Sequence, residues 1–110
     1  MEDPKFQIYR SVGEYRYRLK SKNGEIILHG DGYPTKQSCL RGIEYVKANA
    51  PYYGRYDRRT SPGNKYYFNL KSRNREVIGV SEKYESEWER EQGIEDVRRD
   101  APEAPVEDIG

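Results

Sequence analysis

The sequence predicts an α+β fold: a tandem duplication of a β-β-β-α unit, the two pseudo-twofold-related units sharing one antiparallel sheet with two helices packed on it. Two observations carry this. Shifting the chain by 51 positions lays residues 15–27 (YRYRLKSKNGEII) over 66–78 (YYFNLKSRNREVI), and the same shift lays Gly42-Ile43-Glu44-Tyr45-Val46 over Gly93-Ile94-Glu95-Asp96-Val97 and Ala50-Pro51 over Ala101-Pro102. Within each copy a period of two gives way to a period of three to four, as when strands precede a helix. A single β-β-β-α unit cannot close a core, so the two copies are expected to bury their helices against a common sheet.

Each unit opens with a short edge-like segment, Phe6 to Arg10 or Tyr56 to Arg59, and turns at Val12-Gly13 or near Ser61-Pro62-Gly63-Asn64. Upstream of the main match the shift becomes 50, so the second unit carries one extra residue in this turn. An alternating strand follows. Tyr15, Tyr17 and Leu19 face one way and Arg16, Arg18 and Lys20 the other, and Tyr66, Phe68 and Leu70 stand likewise against Tyr67, Asn69 and Lys71. Turns at Asn23-Gly24 and Asn74-Arg75 lead into third strands at Glu25 to Leu28 and Glu76 to Val80. Thr35 and Ser86 read as helix N-caps, and Ser86-Glu87-Trp88-Glu89 as a capping box whose glutamate returns to the cap amide. Leu40, Ile43 and Val46, and then Ile94, Val97 and Ala101, form one apolar stripe per helix; Pro51 and Pro102 end them. The organisation is thus one domain over 1–110, with repeats at 5–51 and 52–102 and an acidic tail at 103–110 that shows no periodicity and reads as disordered.

Composition bounds the function. The 110 residues carry 20 Lys plus Arg against 19 Asp plus Glu, a net charge of +1, which excludes a generic polycation. Leu, Ile, Val and Phe together number 19, so the core is thin and the 11 tyrosines must supply buried area. One cysteine, Cys39, excludes an intrachain disulfide and a multi-thiolate metal site. No apolar run is long enough to span a membrane, and the opening MEDPK lacks the basic and apolar regions of a signal peptide, so a cytoplasmic protein with no membrane partner is expected.

The repeat motifs resemble the YegP-like family, small bacterial and archaeal proteins of uncharacterised function built from one or two β3α repeats. The family pattern stands here as Tyr15, Tyr17, Leu19, Lys20, Asn23, Gly24, Glu25 and Ile27, and its helix signature as Gly42-Ile43-Glu44-Tyr45-Val46-Lys47 and again as Gly93-Ile94-Glu95-Asp96-Val97-Arg98. Asn74-Arg75 departs from the pattern, where glycine often follows the asparagine, as does the glutamate-rich second helix. The resemblance implies the fold, with single-repeat members pairing as dimers that imitate the duplicated form; a duplicated chain is therefore expected to be a monomer. It implies no catalytic residue.

Candidate sites divide by chemistry. Lys20 and Glu25, and likewise Lys71 and Glu76, flank four-residue turns and are expected to form cross-strand ion pairs rather than a Glu25/Glu76 carboxylate pair for acid/base chemistry. His29 is the single histidine, replaced by Val80 in the second unit, and reads as a surface residue; Cys39 reads as packing. Gly42 and Gly93 lie mid-helix, where glycine is unfavourable, so a close approach of the helix backbone to the sheet or to the other helix is expected at both. Neither a G-x-G-x-x-G nor a phosphate loop occurs, and no cofactor is expected. Charge is strongly asymmetric: residues 1–75 hold 16 basic and 7 acidic side chains, residues 76–110 hold 4 and 12. Arg16, Arg18, Arg58, Arg59 and Arg73 with Tyr67, joined by Lys22, Arg55, Lys65 and Arg75 and by Tyr9 and Tyr53, suggest polyanion contacts on the hairpins. The leading expectation is a non-catalytic binding or scaffolding module with a protein partner; nucleic-acid or polyanion binding comes second and a carboxylate-based enzyme third.

Overall fold

The computed structural model describes residues 3–110. Three strands, β1 (Lys5–Ser11), β2 (Glu14–Lys20) and β3 (Ile26–His29), precede helix α1 (Lys36–Asn49), and β4 (Tyr56–Thr60), β5 (Tyr66–Lys71) and β6 (Val77–Val80) precede α2 (Glu87–Asp100). A final strand, β7 (Val106–Asp108), closes the chain. All seven form one sheet in the order β4-β5-β6-β3-β2-β1-β7. The repeats meet back to back at β3 and β6, where His29 opposes Val80.

The sheet is mixed, against the expectation of a purely antiparallel one. Six strands are antiparallel, but β7 runs parallel to β1, with Phe6, Gln7 and Ile8 opposite Val106, Glu107 and Asp108. This strand lies in the segment 103–110 that the sequence marks as disordered. The unpaired edge of β1 supplies the missing driving force: the Phe6 N–H donates to the Pro105 carbonyl at 2.8 Å, and the Ile109 N–H donates to the Ile8 carbonyl at 2.9 Å. Glu107 pairs with Lys5 at 3.4 Å, and Asp108 pairs with Lys36 on α1. Three residues are too few to show a period of two.

Both helices lie on one face of the sheet. Phe6, Ile8, Tyr17, Leu19 and Leu28 from the first repeat and Phe68 and Leu70 from the second point toward Ile43, Val46, Ile94 and Val97, all fully buried or nearly so. At about 1.5 to 3 kcal/mol for each large apolar side chain buried, this layer dominates the stability. The helices cross between repeats, α1 touching β5 and β6 and α2 touching β3. Tyr17 ties the halves further, donating its hydroxyl to the Ile78 carbonyl; its counterpart Phe68 has no hydroxyl to satisfy. On α1 the apolar stripe is Cys39, Ile43 and Val46, continued by the C-cap Ala50, while Leu40 is 38% exposed. Both registers have helical spacing, so spacing alone does not separate them.

The caps also differ from the sequence reading. The reciprocal capping box belongs to α1, where the Ser38 N–H donates to Thr35 Oγ1 and the Thr35 N–H donates to Ser38 Oγ. At α2 the Glu89 N–H donates to Ser86 Oγ, but the Glu89 carboxylate accepts from the Ser86 hydroxyl instead of the cap amide. The mid-helix glycines have a shared cause. A Cβ at Gly42 would overlap the Tyr33 hydroxyl, and one at Gly93 the Tyr84 hydroxyl. Each tyrosine is held by a pair of main-chain hydrogen bonds, Tyr33 to Tyr15 at 2.7 and 2.8 Å and Tyr84 to Tyr66 at 2.7 and 2.9 Å. The close approach is therefore to a tyrosine ring from the loop before each helix, and not to the sheet strands or the other helix as expected.

Candidate functional site

With the helices on one face, no element among the described residues covers the other face of the sheet. Antiparallel register assigns its residues: β1 contributes Gln7 and Tyr9, β2 Arg16 and Arg18, β3 His29, β5 Tyr67 and Asn69, and β4 Asp57 and Arg59. The predicted basic patch is only partly assembled there. Arg16, Arg18, Arg59 and Tyr67 share the open face, but Arg58 opposes Phe68 and so turns to the helix side, where its guanidinium meets Glu91 of α2 at 2.9 Å. Adjacent residues of a strand point to opposite faces, so Arg58 and Arg59 cannot serve one surface. Arg73 is exposed in the β5–β6 turn at the sheet's end.

The open face is electrostatically mixed. Arg59 and Lys71 share Asp57 at 2.8 and 3.4 Å, and Arg59 first, with Lys71, holds that carboxyl below its usual range. Arg16 faces Glu14 at 3.8 Å. Gln7 donates to Glu107 at 2.7 Å and, with Lys5, lowers the Glu107 carboxyl. Arg18 donates to Gln7 at 2.9 Å and stacks 5.0 Å from the Tyr9 ring, while the Lys83 ammonium stands 5.9 Å from the Tyr67 ring. An open cleft of about 640 Å³ runs along this face between β5, β6 and the loops at Pro62 and Lys83. His29, Tyr67, Asn69 and Val80 line it, and His29 lies 3.6 Å from Glu82.

The remaining candidates lie elsewhere. The ion pairs expected between Lys20 and Glu25 and between Lys71 and Glu76 do not form among the described residues; Lys71 is drawn to Asp57, and both glutamates are exposed. Their main chains close the turns instead, the Ser21 N–H donating to Glu25 O and the Ser72 N–H to Glu76 O, each at 2.8 Å. Asn23 and Asn74 occupy the turns, but the left-handed residue is the next one, Gly24 at φ +80° and Arg75 at φ +69°. Glu25 borders a hollow at α2 with Tyr84, Trp88 and Asp96, which does not include Glu76. The two carboxylates thus belong to different surroundings. Cys39 is fully buried, and burial pushes its thiol up to about 11. Among the described residues, no three His, Cys, Asp or Glu side chains are placed to hold one metal ion.

Two features, at Trp88 and Tyr84, had no clear trace in the sequence, and a third gathers predicted polyanion contacts at a place the sequence did not indicate. Trp88 is 70% exposed in the first turn of α2. Tyr84 sits between α2 and β3, where burial and then the charges of Asp96, Glu82, Glu25 and Glu89 push its phenol up to about 12. A basic hollow under the β5–β6 turn joins Arg55 to Lys71, Arg73 and Arg75. Only the pairing of Tyr56 with Leu70 brings those residues to one end of the sheet.

The chain matches the family described as "Domain of unknown function (DUF1508)" twice, over residues 11–57 and 62–108. The UPF0339 protein in the ptx operon 5′ region of Stutzerimonas stutzeri is 48% identical over 106 residues, 96% of either chain. The UPF0339 protein YegP of Escherichia coli K12 is 39% identical over 98 residues, 89% of either chain. Solution NMR structures of E. coli YegP and of UPF0339 protein SO3888 from Shewanella oneidensis superpose with TM-scores of 0.90 and 0.89, at 36% and 33% identity. They cover 98% and 96% of this chain, which in turn covers 94% and 91% of theirs. Two matched repeats, relatives aligned nearly end to end and the same sheet make this chain a member of the DUF1508 family of YegP-like proteins.

Proposed function

We propose that the protein is a non-catalytic binding module of the cytoplasm that engages a protein partner across the uncovered face of its sheet. One observation supports this above others: a seven-stranded sheet carries both helices on one face and leaves the other bare, studded with Tyr9, Arg16, Arg18, Arg59 and Tyr67. Tyrosine and arginine are enriched in protein interfaces and dominate their energetic centres. The mixed charge favours a protein over a polyanion, since Glu14, Asp57 and Glu107 already neutralise Arg16, Arg59 and Lys5. The separation of Glu25 from Glu76 favours binding over carboxylate catalysis.

The test is quantitative affinity capture from native lysate, compared with and without nuclease treatment, with three baits: the parent, an open-face variant (Arg18→Ala with Tyr67→Ala) and a helix-face variant (Trp88→Ala). The expected outcome is one or more proteins kept by the parent and the Trp88 variant and lost by the open-face variant. Identical retention by all three baits, or retention that disappears with nuclease, overturns the reading.

A further inference from the structure

The second repeat gains guanidinium groups in the turn before its third strand and just ahead of its first strand. The positions held by Lys5, Lys22 and Gly24 in the first repeat are Arg55, Arg73 and Arg75 in the second. With Lys71 these arginines line a hollow of about 280 Å³ at the end of the sheet. Its single lining acid, Asp57, is already engaged by Arg59 at 2.8 Å. Among the described residues no acid forms an ion pair with Arg55, Arg73 or Arg75, although most other arginines of the chain have one.

Arg75 adds a conformational argument. It occupies the left-handed region at φ +69°, where Gly24 sits at φ +80° in the equivalent turn. A side chain there is strained and glycine is not, so the second turn keeps an arginine where the backbone favours its absence. Beside the hollow, Tyr52 is 58% exposed and the Arg55 guanidinium stands 5.4 Å from its ring. Neighbouring Tyr53 is occupied: its hydroxyl donates to Glu95 and Arg98 covers its ring at 3.7 Å.

We infer that this hollow binds the phosphates of single-stranded nucleic acid. Guanidinium forks match phosphate oxygens two at a time, which favours arginine over the lysines of the first repeat. Arg55, Arg73 and Arg75 hold consecutive phosphates, and Tyr52 offers a face to one unstacked base. The site borders the open sheet face, sharing Asp57 and Lys71 with its margin, but its arginines come from the turn and from the residue just ahead of β4.

Fluorescence anisotropy with a labelled oligothymidylate of about ten nucleotides, titrated at several salt concentrations, tests it. Binding is expected at low salt and lost toward physiological salt, log K falling against log salt by about 0.7 for each phosphate contacted. Arg73→Ala with Arg75→Gly should weaken binding roughly tenfold or more and flatten the slope by about one to two units. Tyr52→Ala should weaken it with the slope unchanged, since stacking is not ionic. Thermal melting of the double variant guards against unfolding, because glycine at position 75 relieves the turn. No binding at low salt overturns the inference, as does an equal loss on the open-face pair Arg16→Ala with Arg18→Ala. If tripolyphosphate competes fully and Tyr52→Ala changes nothing, the hollow takes free phosphates and the nucleic-acid assignment falls.

Discussion

The two outer edges of the sheet begin as equivalents and end differently. At β1 the strand KFQIYRS directs Phe6 and Ile8 into the core and is covered by β7; at β4 the equivalent strand YDRRT has no neighbour beyond it among the described residues. An uncovered strand edge is a template for unwanted pairing, and proteins blunt it with added chain or with charge. Here one molecule uses both devices. The connection explains which edge receives which: Ala50-Pro51 leads out of α1 into β4, and Ala101-Pro102 leads out of α2 into β7. The matched family segments, 11–57 and 62–108, each end in that strand. β7 thus follows α2 as β4 follows α1, and it pairs with the edge of β1.

The largest expected effect tests what the halves share. Gly42→Leu and Gly93→Leu should each lower stability by more than about 2 kcal/mol in urea unfolding, overpacking against Tyr33 and Tyr84 outweighing the better helix propensity. A half that accepts leucine with no loss would show that the repeats do not pack alike. The edges come next. A chain ending at Pro105 should lose roughly 1 to 2 kcal/mol, the net worth of a few main-chain hydrogen bonds, and should self-associate in sedimentation velocity through the bare β1 edge. The mirror experiment gives β4 the residues of β1 (Asp57→Gln, Arg58→Ile, Arg59→Tyr); a strictly monomeric product would mean that charge is not what protects this edge.

A smaller effect appears at alkaline pH. Tyr84 has its native pKa raised to about 12, above the unfolded value near 10, so its contribution is intact below pH 10 and lost as pH climbs through 12. Tyr17 and Tyr33 are raised as well, chiefly by burial. Stability should therefore fall between pH 10 and 12, and Tyr84→Phe should make that descent shallower in guanidinium melts taken across the range. An unchanged descent would remove Tyr84 from the account. The smallest effect sharpens the turns: Arg75→Gly should raise stability by roughly 0.5 to 1 kcal/mol, and Gly24→Arg should lower it by a similar amount.

Much of the architecture was legible because alternation and the 51-residue shift are redundant signals, each strand being read twice. Tyr15, Tyr17 and Leu19 could be assigned to the core face without any structure, and Tyr66, Phe68 and Leu70 repeated the assignment. The alternation that placed Arg16 and Arg18 on the open face also separates Arg58 from Arg59, so that error lay in grouping residues by charge before applying the period. β7 was illegible for a different reason: its stability comes from a partner about 100 positions away, not from a local pattern. The candidate sites were least legible of all. Aligned repeats display Arg73 against Lys22 and Arg75 against Gly24, but the meeting of both with Arg55 depends on the β4–β5 register.

The parallel pairing of β1 and β7 also has a mechanical consequence. Both strands run the same way, so the chain enters the pair at Lys5 on one end and leaves it at Asp108 on the other. A force drawing the two termini apart loads this pair along its length, so that the hydrogen bonds resist together in shear rather than opening one at a time like a zipper. A load applied between the tips of the β2–β3 and β4–β5 hairpins, at Gly24 and Gly63, would instead bypass β7. The direction of pull, more than the total stability, should decide which half of the molecule yields first.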